Sequence, residues 1–211
     1  QFRSVDDLAG RAELSRQDLQ ALAAAGALQS LGNDRHQAHW LATGHDRLPG
    51  VLQDTACEQE LPAASLLPVP TEAQNLVADY ASLGLSLGRH PLALLRKELK
   101  ERFQSRPAIE LQELGHQQLA RASGLVTHRQ RPGTAKGVVF ITLEDETGSI
   151  NLIIWPDVLK KYKQAVLHGQ LLTAYGRWQR DQTIASDAPG QVTNLVALRI
   201  EDHTPLLAQR L

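Results

Sequence analysis

Two segments rich in β-branched and aromatic residues, separated by a short acidic turn, constrain the fold of this chain more than any other feature. Residues 138–143 (VVFITL) and 150–155 (INLIIW) have the composition of strands. Between them, residues 144–148 (EDETG) provide acidic side chains that favour local backbone hydrogen bonds, and Gly148 is free to adopt a positive φ. The pattern predicts an antiparallel hairpin.

Three further segments have strand-like patterns, and an amphipathic helix is predicted at residues 156–166. Five strands with a helix after the third are the arrangement of an OB barrel, whose second and third strands carry the nucleic-acid-binding face. The predicted strands are residues 120–131, 137–143, 150–155, 171–180 and 192–200.

The first 44 residues predict short helices separated by glycine turns. Two Ser-x-x-Asp segments, residues 4–7 and 15–18, have the spacing of a capping box and should begin two helices. Gly26 is expected to end the second helix in a left-handed conformation, and a third helix is predicted from about residue 33 to residue 44.

The middle of the chain predicts a linker followed by two helices. Thr71 should cap the first helix, and Pro91 should occupy the first turn of the second, whose basic side chains, including Arg96, are expected on a solvated face. The predicted fold class is therefore α+β. Its parts are a helical module at 1–44, a linker at 45–70, bridging helices at 71–115, an OB-fold domain at 116–204 and a C-terminal tail at 205–211.

Composition excludes several classes of protein. Cys57 is the one cysteine, so neither a disulfide framework nor a cysteine-based zinc cluster is expected. No apolar run reaches the roughly 18 residues of a membrane span, which predicts a cytoplasmic location. Residues 1–115 carry 11 basic and 15 acidic side chains, whereas residues 116–211 carry 11 and 8. The positive half is the half with the predicted barrel, which favours a nucleic-acid partner there.

Five segments spread along nearly the whole chain form a recognisable set. They are AGALQSLG (25–32), GLSLGRHP (84–91), RQRPGTAKGVVF (129–140), TLEDETG (142–148) and IIWP (153–156). Together, and in this order, they resemble the C-terminal region of bacterial C-family DNA polymerases, most closely the error-prone, damage-inducible branch of the ImuC type. By this resemblance residues 1–44 are a helix-hairpin-helix segment, and the catalytic palm and phosphoesterase-like domain of the family are expected upstream of Gln1.

The resemblance implies a parent enzyme that adds deoxynucleotides across damaged templates by two-metal phosphoryl transfer with Mg²⁺. It also implies a partner pseudo-polymerase and a sliding clamp. Residues 47–52 (RLPGVL) lack the aromatic residue of a clamp-binding peptide, so clamp contact is predicted to be indirect. The chain itself shows no catalytic residue, no metal site and no cofactor site, and whether it is an enzyme by itself stays open.

Alternation along the predicted strands assigns a binding face. Phe140 and Trp155 should point outward with Val138 and form a platform for stacked bases. The OB domains of aspartyl- and lysyl-tRNA synthetases, which resemble the TLEDETG segment, place a stacking Phe and a polar base-reading residue near these positions. In the helical module, Arg35 and Arg16 are the candidates for phosphate contact. The predicted nucleic-acid-binding residues of the barrel are Arg129, Arg131, Lys136, Phe140, Asn151, Trp155, Arg177 and Arg180.

Two functions besides the holding of template DNA fit this pattern of strands and exposed side chains. The OB domain can serve as a protein-docking module for a partner of the polymerase, in which case Phe140 and Trp155 would not face nucleic acid. It can also be an RNA-binding domain of a synthetase-like protein, against which the segments at 25–32 and 84–91 argue. Salt dependence separates DNA binding from protein docking, because phosphate contacts weaken steeply with added salt and an apolar docking surface does not.

Overall fold

The computed structural model describes residues 1–45, 67–180 and 192–210, which belong to two compact units. Unit 1 is Gln1–Gly88 and unit 2 is Arg89–Leu211. The segment predicted to bridge the two parts, residues 71–115, spans this division. The clamp-peptide prediction at residues 47–52 lies outside the described residues.

Unit 1 is helical in the parts that the structure describes. Ser15 and Asp18 form the complete capping box that the sequence predicts for the second helix. At the first helix Ser4 accepts from the Asp7 amide, but the Asp7 carboxylate accepts from Arg3 N instead of returning to Ser4. The helices are α1 (Val5–Arg11), α2 (Arg16–Ala24), α3 (Gln29–Gly32), α4 (Arg35–Gly44) and α5 (Glu72–Leu83), of which α3 was not predicted.

The turn after α2 is closed by a left-handed glycine. Gly26 has a φ of +73°. Its amide donates to Ala23 O, and the amide of Ala27 donates to Leu22 O, which is the hydrogen-bond pattern of a Schellman cap. The prediction for Gly26 is therefore confirmed. The helices then bury a small core around Leu19, Leu28 and the alanines of α2 and α4.

Unit 2 contains a closed five-stranded barrel with the strand order β1-β2-β3-β5-β4. All neighbouring strands are antiparallel except β3 and β5, which are parallel. This topology confirms the predicted OB barrel. The strands are β1 (Leu119–Gln130), β2 (Val139–Asp145), β3 (Gly148–Ile154), β4 (Leu171–Arg180) and β5 (Thr193–Asp202).

Strand β1 closes the barrel because it pairs with β4 through its first half and with β2 through its second half. Gly124 lies at the change of partner. A Cβ at this position would lie 2.6 Å from Leu143 Cβ and 3.1 Å from the Glu144 backbone, so a larger residue would push β1 away from β2. The glycine thus permits the close approach that closure requires.

Five helices surround the barrel in the described part of unit 2. Leu92, Leu95 and Leu99 of α6 are buried against Leu171 and Leu206. Leu206 belongs to a helix, α10, where the sequence predicted a tail. The predicted helix at 156–166 is interrupted at Tyr162, so it forms two short helices. The five are α6 (Pro91–Phe103), α7 (Ala108–Leu111), α8 (Pro156–Lys161), α9 (Lys163–His168) and α10 (Thr204–Arg210).

A buried carboxylate connects the hairpin turn to these helices. Asp145 Oδ1 accepts from the amides of Thr147 and Gly148 at 2.7 and 3.0 Å, which is the local bonding expected of an acid in a turn. Asp145 Oδ2 accepts from Ala108 N of α7 at 2.7 Å and from Arg96 Nη2 of α6 at 3.0 Å. Arg96 also pairs with Glu146, so the prediction that Arg96 lies on a solvated face is wrong.

Candidate nucleic-acid interface

The register of the barrel places a row of mainly apolar side chains across its outer surface. Each member is the direct Cα partner of the next: Phe140 faces Ile153, Ile153 faces Val196, and the row continues through β4 to β1. Phe140 is 38% exposed, whereas its chain neighbours Val139 and Ile141 are 1% exposed. We call this set the stacking row; it consists of Phe140, Ile153, Val196, Arg177 and Leu119.

A second outward row runs parallel to the first and lies two residues away from it on each of four strands: it follows the first row on β2 and β4 and precedes it on β3 and β5. It contains a hydroxyl and three carboxamides, and Thr142 Oγ1 lies 3.3 Å from Asn151 Oδ1 within it. Between the two rows the side chains of Ile141, Leu152, Leu195 and Trp178 point inward and are buried. We call the polar set the amide row; it consists of Thr142, Asn151, Asn194 and Gln179.

Trp155 extends the exposed aromatic surface beyond the end of β3. It is 55% exposed and has an extended backbone, with φ −72° and ψ 156°, directly before α8. Because it follows Ile153 by two residues in extended chain, it lies on the same side of the strand. Val138 does not belong to this surface. It is 7% exposed, so the prediction that it points outward is wrong; it precedes β2 and follows Gly137, whose φ is +86°.

The connection between β1 and β2 carries the predicted basic side chains. Arg131 and Lys136 are exposed, and neither makes an ion pair with a residue in the described ranges. Lys136 adopts a left-handed conformation, with φ +49°, after the short 3-10 turn Gly133–Ala135. Arg129 differs from these two, because it lies in β1 and its Nη2 donates to Gly169 O at 2.6 Å, which fastens the end of β1 to the end of α9.

The two predicted arginines of β4 have different environments. Arg177 is exposed and belongs to the stacking row. Arg180 donates from Nε to Leu114 O at 2.9 Å and from Nη2 to Gln112 O, and its amide donates to His116 Nδ1 at 3.2 Å. Arg180 therefore holds the segment that leads into β1, and its guanidinium is already engaged with backbone carbonyls.

Charge is divided unequally between the units. Unit 1 carries 5 basic and 11 acidic side chains, a net charge of −6, whereas unit 2 carries 17 and 12, a net charge of +5. Part of that excess lies on α8 and α9, where Lys160, Lys161 and Lys163 are exposed. Sequence reasoning missed these lysines as candidates, although their position directly after Trp155 was a usable signal.

Tyr175 on β4 lies between two guanidinium groups. Arg121 and Arg199 lie 5.2 and 5.3 Å from the ring centroid, at cation–π distance. Burial and the neighbouring Glu201 carboxylate, which accepts a hydrogen bond from the phenol, raise the pKa of Tyr175. Arg199 also pairs with Glu201, so Arg121 is the guanidinium of this cluster whose charge no carboxylate in the described ranges neutralises.

Arg35 of unit 1 does not have the environment predicted for a phosphate ligand. It is 6% exposed, its Nη1 donates to Asn75 O at 2.7 Å, and its Nη2 pairs with Asp79. Burial disfavours the ionised Asp79, but hydrogen bonds from Arg35 and Ser86 outweigh it and lower the pKa of Asp79. Arg35 is therefore an internal link between α4 and α5. Arg16 is exposed at the start of α2.

The described residues offer no ligand set for a metal. No group of three or more His, Cys, Asp or Glu side chains is positioned to hold a metal ion within residues 1–45, 67–180 and 192–210. The residues in these ranges therefore do not fit the Mg²⁺ expected of a parent polymerase. Within the same ranges, no helix has both the length and the apolar character needed to cross a membrane.

Family comparisons agree with this architecture. A family described as an OB-fold nucleic acid binding domain matches residues 121–202, and a helix-hairpin-helix motif matches residues 1–38. Among solved structures, asparaginyl-tRNA synthetase from Pyrococcus horikoshii aligns with 47% of this chain and 22% of that chain, at 21% sequence identity and a TM-score of 0.38. The family that matches residues 121–202 is of the nucleic-acid-binding class.

Longer matches come from polymerases. An error-prone DNA polymerase of Ralstonia nicotianae is 46% identical over 211 residues, which is 99% of this chain and 18% of that protein. The error-prone DNA polymerase of Alkalilimnicola ehrlichii is 46% identical over 98% of this chain and 19% of that protein. The chain thus spans less than one fifth of the length of these relatives.

These matches confirm the predicted resemblance. Over nearly all of its own length, the chain is homologous to the error-prone DNA polymerases, in the region that carries a helix-hairpin-helix motif and an OB-fold domain.

Proposed function

We propose that unit 2 holds the single-stranded template of an error-prone translesion DNA polymerase on the outer face of its barrel. One observation carries the proposal: two exposed aromatic side chains, Phe140 and Trp155, lie on the same side of adjacent strands beside an outward amide row. Exposure of apolar aromatic rings to water is unfavourable, and a partner that covers the rings removes this cost. Nucleic-acid bases stack on such rings.

The backbone of the strand would follow the basic side chains at one edge of this face. Arg131 and Lys136 present charge that no described residue neutralises. Arg129 donates to Gly169 O and would act mainly by positioning the end of β1 from which the loop begins. Each phosphate that pairs with a lysine or arginine releases counterions, so binding through this edge should weaken as salt is added.

Unit 1 has a smaller role in this proposal. Its net charge of −6 and the internal engagement of Arg35 disfavour strong contact with phosphates. The amides of Gly26 and Ala27 are already engaged in the cap that ends α2, so they do not offer free donors to a phosphate. We therefore propose that the helix-hairpin-helix unit helps to position the DNA, and that the barrel contributes most of the binding free energy.

The parent protein and its partners are part of the proposal. We propose that the full polymerase is cytoplasmic and acts with a partner pseudo-polymerase, and that its contact with the sliding clamp is indirect. The region described by the structure would contribute template binding and no nucleotide transfer.

Titration with labelled oligonucleotides at two salt concentrations tests the function. We expect single-stranded DNA to bind more tightly than duplex DNA, and binding to weaken steeply with salt. Arg131→Ala should weaken binding to all sequences and lower the salt slope by about one unit, as loss of one phosphate contact does. Binding to a polymerase partner with no measurable affinity for DNA at low salt would replace the proposal with a protein-docking function.

A further inference from the structure

The amide row has a composition suited to a different task from the stacking row. Its four side chains are uncharged, and three of them, Asn151, Asn194 and Gln179, are carboxamides. Asn194 and Gln179 make no side-chain hydrogen bond with another described residue. Each carboxamide carries both donors and an acceptor, so the row offers unused hydrogen-bonding capacity on the surface.

The row also lies at a suitable distance from the aromatic platform. Thr142 follows Phe140 by two residues, which separates the two rows by about 6.7 Å along the strands. Successive members of the row lie on adjacent strands, which are spaced by about 4.8 Å. One edge of a base stacked on Phe140 can therefore reach the amide row while the sugar and phosphate lie on the other side of the ring.

We propose that the amide row hydrogen-bonds the Watson–Crick edges of unpaired bases, whatever their sequence, and so makes this face selective for single strands. The inference rests on the proposed function and assigns roles to Asn194 and Gln179 that the sequence did not indicate. In a duplex those edges are already paired, so only an unpaired base can use the row.

The chemistry of the carboxamide explains the tolerance for sequence. Rotation of an Asn or Gln side chain by half a turn exchanges its donor and its acceptor, so one residue can complement either kind of group on a base. The Thr142 hydroxyl can donate or accept, and its contact with Asn151 therefore survives such a rotation. Charged side chains would present donors alone or acceptors alone and would favour particular bases.

An abasic oligonucleotide separates contacts with bases from contacts with phosphates. The test compares the full chain with Asn151→Ala/Asn194→Ala, using single strands of equal length that are either base-bearing or abasic. We expect the double variant to bind base-bearing strands of every composition roughly tenfold more weakly, since two modest hydrogen bonds are lost. Affinity for the abasic strand should not change. Gln164→Ala, an exposed carboxamide on α9, is the matched control and should bind as the parent chain does.

A second variant tests the sequence tolerance directly. Asn151→Asp keeps the size of the side chain but gives it only hydrogen-bond acceptors, which favours a base that offers an exocyclic amine. The ratio of affinities for oligo(dC) over oligo(dT) should increase several-fold relative to the parent chain. An unchanged ratio would contradict the proposed base contact, provided that the thermal unfolding midpoint shows the variant to be folded.

The outcomes distinguish the inference from the function on which it rests. If Phe140→Ala abolishes the preference for base-bearing strands but the double amide variant keeps it, the amide row does not contact bases and the inference is wrong. If the parent chain itself binds abasic and base-bearing strands equally, the barrel face does not hold bases and the proposed function fails.

Discussion

Arg96 Nη2 donates to Asp145 Oδ2 at 3.0 Å and so joins α6 to the turn of the β2–β3 hairpin across 49 positions of sequence. The Asp145 side chain is 0% exposed and that of Arg96 is 17% exposed. Burial alone would lower the pKa of Arg96, but attraction and hydrogen bonds from Glu146 and Asp145 raise it. The guanidinium is therefore the charge partner on which a buried carboxylate depends.

Replacing this arginine should destabilise unit 2 strongly. Arg96→Ala leaves the Asp145 charge buried without its partner, and we expect a loss of about 3 kcal/mol in unfolding free energy, measured by denaturant titration. Arg102→Ala, on the same helix, removes an exposed arginine that pairs with Glu98 and lies over the Phe103 ring, and it serves as the control. Equal effects of the two arginine variants would contradict the account.

The Arg35–Asp79 pair should make the stability of unit 1 depend on pH. The folded pKa of Asp79 is lowered, so its contribution to stability is fully present above the ordinary value of 3.8 and is lost as pH falls through the folded value. We expect Asp79→Asn to be destabilising at pH 7 and progressively less so at lower pH, measured by thermal unfolding. A difference between parent and variant that stays constant with pH would show that the pair does not titrate as described.

His203 should give unit 2 a pH dependence in a different range. Its ring stacks on Phe103 with centroids 3.9 Å apart, and burial lowers the pKa of His203 despite nearby Glu201 and Asp202, with Arg102 also opposing protonation. Because the unfolded chain takes up the proton first, stability should be full above pH 6.5 and fall as the pH drops below it. His203→Phe keeps a stacked ring and should show a smaller loss between pH 7 and 5. An identical loss in both proteins would be evidence against this assignment.

Substitution of Arg177 should affect DNA binding, whereas substitution of Arg180 should affect the stability of unit 2. Arg177 is exposed in the stacking row, so Arg177→Ala should weaken DNA binding a few-fold and leave the unfolding midpoint nearly unchanged. Arg180 donates to Leu114 O and Gln112 O, so Arg180→Ala should lower the midpoint by loosening the segment before β1. The opposite assignment of effects would mean that the two side chains have been given the wrong roles.

The sequence predicted much of this fold because the deciding signals are local. Capping residues, the glycine at position 26 and the alternation in β2 and β3 depend on neighbours within a few positions. They gave the helix starts, the hairpin and the outward direction of Phe140. The break at Tyr162 was missed, since residues 156–166 have the periodicity of one helix.

The missed features depend on contacts between distant positions. The helical pattern around Arg96 predicts a surface position, because its partner Asp145 lies on a distant turn. Arg35 likewise has no partner nearby in sequence, because Asp79 belongs to α5. Asn194 and Gln179 become neighbours of Asn151 only through the parallel pairing of β3 with β5 and the register of β5 with β4. A register between non-consecutive strands is fixed by closure of the barrel, which a single sequence does not encode in any local pattern.

The most direct measurement of the central claim is the affinity of Phe140→Ala/Trp155→Ala for single-stranded DNA at low salt. Each ring should contribute about 1 to 3 kcal/mol through base stacking, so the double variant should bind at least tenfold more weakly. Its unfolding midpoint should stay close to that of the parent chain, because both rings are exposed. Unchanged affinity in a folded double variant would contradict the claim that this face of the barrel holds the template.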